Sequence, residues 1–88
     1  MKRKADFMVQ KVGGENLLVP LGAEVMRING IIILNDTAAC AWELLAEERS
    51  LDELTAAVAE RFDVADGIAR ADVQAFVDEI TRLGLLGS

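Results

Sequence analysis

The hydrophobic pattern of this chain changes period once, at Asn35, and that change limits the folds open to it. Before Asn35 the apolar residues come in short runs broken by turn residues, the mark of strands. After it they recur every three or four residues, the mark of amphipathic helices. Strands first and helices afterwards predict an α+β domain with helices packed on one face of an antiparallel sheet.

Residues 6–11 predict the first strand, Phe7 and Val9 alternating with Met8 and Gln10. Gly13-Gly14 supplies the positive φ angles of a tight turn, and residues 15–19 form the return strand of a hairpin. The lone proline, Pro20, ends that strand because it has no N–H to donate. Residues 24–28 alternate enough to predict a short strand, Asn29-Gly30 is a turn signal, and residues 31–34 predict a further, clear strand. The sheet is therefore three-stranded, or four-stranded if residues 24–28 join it.

Asn35 is placed to cap a first helix reaching about Glu47, with Ala38, Ala41, Trp42 and Leu45 on one face and Asp36 near the positive end of the dipole. Ser50-Leu51-Asp52-Glu53 is a capping box, and Leu51, Leu54, Val58 and Phe62 make the stripe of the second helix. After a connection at residues 63–67, the last helix runs from about Ile68 to Leu83, with Val73, Phe76, Val77, Ile80 and Leu83 three and four apart. Gly84 fits its C-terminal cap, with Leu85 folding back on the last turn. The second helix, a short turn and the third helix form a helix-turn-helix, and the preceding sheet makes it winged.

With 88 residues, 52% of them apolar, residues 1–88 read as one domain with a core and little material for a deep cleft. The single cysteine, Cys40, allows neither an internal disulfide nor a cysteine-rich metal site, which suits a reducing compartment and a cytoplasmic location. Residues 1–4 are basic but are followed by Asp6 and not by an apolar run, so no signal peptide is expected, nor any membrane span. With no histidine and no tyrosine, the usual general bases and metal ligands are missing. Asp63-x-x-Asp66-Gly67 lacks the alternating ligands and distal Glu of a calcium loop, and no phosphate-binding glycine loop is present. A non-enzyme without cofactor or metal is the expectation.

The net charge is −6, but from Asn35 onward four Arg stand against twelve Asp and Glu, a local balance of −8. That half repels nucleic acid. The run Ile31-Ile32-Ile33-Leu34 is apolar on both faces, more than a sheet with one solvated side requires. Either both faces are covered within the fold or by a second copy, or one face awaits a peptide. Val73, Phe76, Val77 and Ile80 are core residues first, and Val73 and Val77 lie at the stripe's edge, where they can also line a groove. Trp42 belongs to the core and Cys40 has no cationic sequence neighbour to activate it. The acidic runs Glu47-Glu48 and Asp52-Glu53 read as solvated helix surface, with docking of a basic partner as the alternative.

The segment Leu18-Val19-Pro20-Leu21-Gly22, then Asn29-Gly30-Ile31-Ile32-Ile33-Leu34-Asn35-Asp36-Thr37-Ala38, then Trp42-Glu43-Leu44-Leu45, resembles the signature of the coenzyme PQQ synthesis protein D family. The closing pattern Asp72-Val73-x-x-Phe76-Val77-x-x-Ile80-x-x-x-Gly84-Leu85-Leu86 is similar to that family's last helix. The resemblance implies a winged-helix peptide chaperone, a recognition element that binds the leader of a ribosomally made precursor peptide. It also implies a modifying enzyme as second partner, commonly a radical S-adenosylmethionine enzyme. In such domains the leader adds as a strand beside the third strand and packs on the third helix, so the implied site is Ile31, Ile32, Ile33 and Leu34 with Val73, Phe76, Val77 and Ile80. The extra segment between Pro20 and Gly30 leaves residues 25–28 as the alternative docking strand. PQQ itself is not implied, since many relatives serve other peptides. Two further readings follow from the element order and the apolar strand: a DNA-binding winged-helix regulator, and a self-associating module such as a homodimer.

Overall fold

The computed structural model describes residues 1–4, 6–22, 24–27 and 30–87, the side chains of residues 26 and 27 apart. Strand β1 (Phe7–Val12) and strand β2 (Glu15–Pro20) form an antiparallel hairpin that pairs Phe7 with Pro20 and Val12 with Glu15. Gly13 and Gly14 close it at φ 57° and 86°, left-handed values that a side chain would resist. Strand β3 (Ile32–Leu34) pairs antiparallel with β2, Leu18 opposite Ile32 and Asn16 opposite Leu34. The sheet order is β1-β2-β3, so β2 is central and β1 and β3 are edges.

The strand predicted at residues 24–28 is corrected by the structure. Glu24–Arg27 forms a single helical turn, α1, while Ile28 and Asn29 lie outside the described residues. Local hydrogen bonding decides the matter. Leu21 N–H still extends the hairpin to Asp6 O, at 2.8 Å, but Gly22 then turns left-handed at φ 55°. The carbonyls of Leu21 and Gly22 accept from the N–H groups of Glu24 and Val25, which curls the chain before it can pair. The described sheet therefore has three strands and not four.

Three helices follow: α2 (Asp36–Leu44), α3 (Leu51–Phe62) and α4 (Asp66–Arg82). The Asn35 side chain accepts from Ala38 N–H at 2.7 Å, and Ser50 and Glu53 form both halves of the capping box. Helix α2 stops at Leu44, short of the expected Glu47, where the Arg49 side chain donates from Nε to Leu44 O at 2.7 Å. Helix α4 ends at Arg82, followed by Gly84 at φ 73°, and Leu85 N–H returns to Ile80 O at 2.8 Å.

The core lies between the inner sheet face and the helices. Phe7 and Leu18 from the hairpin and Leu34 from β3 meet Trp42, Leu45, Leu54, Val58, Val73 and Ile80, all buried. Trp42 is completely enclosed, with Phe7 edge-on at 5.7 Å and the Arg3 guanidinium 5.4 Å from its ring centroid. Arg3 is held there by backbone: its N–H donates to Leu45 O, and it bridges to Leu86 in the C-terminal tail. This packing fixes α4 against α2 and α3, and thereby fixes the distance of α4 from β3.

Candidate functional site

An open groove of about 320 Å³ separates β3 from α4. Ile32, Ile33 and Leu34 line it from β3, Asn35 and Ala38 from the start of α2, and α4 supplies Asp72, Ala75, Phe76, Glu79, Ile80 and Leu83. The volume is near the lower end of small-ligand sites, enough for a few side chains but not for a globular surface.

The ladder arithmetic shows which main-chain groups this groove presents. Residues flanking a two-residue hairpin turn exchange hydrogen bonds, and opposite pairs then alternate between bonded and unbonded. Starting from the bonded pair Val12 and Glu15, Leu17 and Val19 also aim their polar groups at β1. The same alternation makes Asp6 and Leu21 a bonded pair, in agreement with the 2.8 Å bond observed there. It also directs the missing N–H of Pro20 away from β1, where proline costs that pairing nothing. Asn16 and Leu18 therefore bond toward β3, to Leu34 and Ile32, and the Leu17–Ile33 pair is unbonded. Ile33 is left with both its N–H and its C=O aimed at the free edge.

The side chains follow the same two-residue period. Ile33 points outward, 66% exposed, on the same face as the exposed Met8. Ile32 is half-buried and Leu34 buried, both on the inner face toward the groove. Of the residues named from sequence, Ile32, Ile33, Leu34, Phe76 and Ile80 are brought together around the groove. Ile31 stands just ahead of β3, 56% exposed. Val73 and Val77 are buried in the core and are not among the groove-lining residues.

Sequence reasoning missed Asn35, Ala38, Asp72, Ala75, Glu79 and Leu83 as groove residues. A signal for two of them was present: Asp72 and Glu79 lie four residues before and three after Phe76, so they share its helix face. Both are acidic and exposed, but they differ in state. The Arg82 guanidinium donates to both carboxylate oxygens of Glu79, at 2.6 and 3.2 Å, and holds that carboxyl below the ordinary carboxylate range. The Asp72 carboxylate has no hydrogen bond or ion pair among the described residues.

A second depression of about 250 Å³ lies by the end of the hairpin, lined by Lys11, Asn16, Asp36, Ala39, Cys40, Glu43, Arg61 and Phe62. It is polar. The buried Asn16 amide donates to Asp36 Oδ1 at 2.8 Å and to Leu34 O at 3.3 Å, tying the strand to the start of α2. Burial pushes the Cys40 thiol pKa up, Arg61 opposing it in part. Among the described residues no three Cys, Asp or Glu side chains gather as a metal site.

No curated protein matches the sequence. The solved structure of TbiB1 in complex with the TbiA(beta) leader peptide matches with a TM-score of 0.71 at 19% identity, covering 100% of this chain and 96% of that one. That likeness establishes the fold, three antiparallel strands followed by three helices. The family model described as coenzyme PQQ synthesis protein D matches residues 17–86, a span that contains most of β2, all of β3, all three long helices and the whole groove. The chain belongs to the coenzyme PQQ synthesis protein D (PqqD) family.

Proposed function

We propose that this protein is a non-enzymatic peptide chaperone, which binds the leader of a ribosomally made precursor by strand addition at β3 and presents it to a modifying enzyme. The observation that carries the reading is the free main chain of Ile33 beside an apolar groove: main-chain bonds supply affinity, and the groove supplies side-chain selection. TbiB1, which shares the fold, was solved with a leader peptide bound, and the family membership supports the same use here. On this reading Ile31, Ile32, Ile33, Leu34, Phe76 and Ile80 meet the peptide, while Val73 and Val77 set α4 in place behind them. The modifying enzyme is a radical S-adenosylmethionine enzyme, and the site of action is the cytoplasm. No described helix is long and apolar enough to cross a membrane.

The test is a titration of isotope-labelled protein with leader segments of short precursors encoded beside its gene, followed by amide shifts. Shifts concentrated in β3 and α4 are expected. Shifts confined to other elements, or none with any such leader, defeat the proposal.

Self-association has one observation in its favour, the outward exposure of Ile33 and Met8 on the sheet face away from the helices. A homodimer using β3 would compete with the leader, and sedimentation with and without peptide distinguishes the two. A nucleic-acid reading gains nothing from α4, whose Arg70 and Arg82 are ion-paired with Asp52 and Glu79.

A further inference from the structure

We infer that Asp72 makes the groove selective for a leader segment bearing one Lys or Arg in phase with two apolar residues, with the basic residue always on the same flank. This rests on strand addition at β3 and adds the chemistry of the peptide that is accepted.

The phase comes from the backbone. In an antiparallel arrangement, a peptide residue bonded to Ile33 lies directly opposite it and sends its side chain to the outer sheet face, as Ile33 does. Its two neighbours face inward, opposite Ile32 and Leu34, and enter the groove between β3 and α4. Those two side chains are about 6.8 Å apart, two strand residues. They meet Ile32, Leu34, Phe76 and Ile80, an apolar lining that favours apolar side chains at both places.

The next inward position on one side passes toward Asp72, the first residue of the α4 wall; Glu79 lies two helical turns along, about 10.5 Å, with Leu83 continuing the wall beyond it. Their carboxylates are unequal. Glu79 is engaged by two of the three Arg82 nitrogens, Nε and Nη2, so a basic side chain arriving there finds both carboxylate oxygens already paired. Asp72 has no counterion among the described residues, and the half of the chain around it is strongly negative. A Lys or Arg two residues outside the apolar pair, on the Asp72 side, gains an ion pair that one on the Glu79 side does not. The accepted segment therefore has apolar residues at i and i+2 and a basic residue on one flank only, at i−2 or at i+4.

The experiment selects binders from an mRNA-displayed library of random 14-residue peptides with the full chain as bait, in parallel for wild type, Asp72→Asn and Asp72→Lys. Asp72 is exposed and unpaired, so both variants are expected to fold, which amide spectra verify. Wild type should enrich alternating apolar residues with Lys or Arg on one flank. Asp72→Asn should lose the basic preference and weaken a wild-type binder about two- to fivefold, the worth of an exposed ion pair. Asp72→Lys should replace the basic residue by Asp or Glu. Enrichment of the apolar pair with no basic residue, or with the same basic residue in Asp72→Asn, overturns the inference while leaving strand addition intact. Absence of any enriched peptide that shifts β3 amides overturns strand addition itself, and the inference with it.

Discussion

The two edges of the sheet share one central strand and differ in almost everything else. The β1 edge is six residues long, carries Lys11 near its tip, and borders a polar depression. The β3 edge is three residues long, apolar throughout, and runs beside a groove whose lining is mainly apolar, with Asp72 and Glu79 on the α4 side. A lysine on a strand margin is a common device against unwanted pairing, and β3 has no such guard. An edge is thus made receptive by what lies alongside it as much as by its unpaired amides.

The largest test of this contrast removes what the edges share. Leu18 is fully buried on β2 and pairs with Val9 on one side and Ile32 on the other. Leu18→Ala should cost about 2–5 kcal/mol and lower the melting temperature by about 10–30 °C. Amide protection should fall in both edges together; if β3 alone loses protection, the edges are not coupled through β2.

A sharper test removes one outward amide from each edge. By the pairing alternation, the N–H groups of Ile33 and Lys11 both point away from β2, so proline at either place spares the internal ladder. Ile33→Pro should weaken leader binding by about 1–3 kcal/mol, roughly 5- to 150-fold, because a bond is lost and a peptide carbonyl is left unpaired. Lys11→Pro should leave binding unchanged. Equal losses in calorimetric titrations would mean that the contrast between the edges does not govern docking.

The smallest effect concerns the polar depression. The Cys40 thiol is buried and its pKa is raised in the folded chain, so folding retains a proton that the unfolded chain releases near the ordinary thiol value. The associated stability is fully present below the unfolded pKa and is lost as the pH rises through the folded one. Alkylation by iodoacetamide at about pH 8.5, the ordinary thiol value, should therefore be at least about tenfold slower than in urea. Saturating leader peptide should not alter it. A rate equal to that in urea would show the depression to be open.

Much of this fold was legible in the sequence because local chemistry specifies it. The Gly13-Gly14 turn, the Asn35 cap and the Ser50–Glu53 box each satisfy backbone groups within a few residues, and the structure shows all three. Residues 24–27 form a helical turn instead of the predicted strand for a related reason. Their apolar alternation is weak over so short a window, and the carbonyls of Leu21 and Gly22 capture the following amides first. The site was only half legible. Spacing places Val73, Phe76, Val77 and Ile80 on one broad stripe of α4, but how the helix seats against α2 and α3 decides which of them reach the groove. That is a property of tertiary packing, and it leaves Val73 and Val77 sealed while Phe76 and Ile80 border the opening. The charge asymmetry between Asp72 and Glu79 depends on Arg82, three residues along, and becomes readable only once the helix face is known.

The brevity of β3 has a kinetic corollary. Three residues give one outward-facing bonding position at Ile33, so an added strand is anchored by few main-chain bonds, and most of its length must be gripped elsewhere or not at all. At ordinary encounter rates, an affinity of about 1 μM would correspond to a residence time of about 0.1–10 s. On the proposed function, in which a bound leader is passed to a second protein, such a short dwell is an advantage: a longer β3 would hold a leader more firmly and turn it over more slowly.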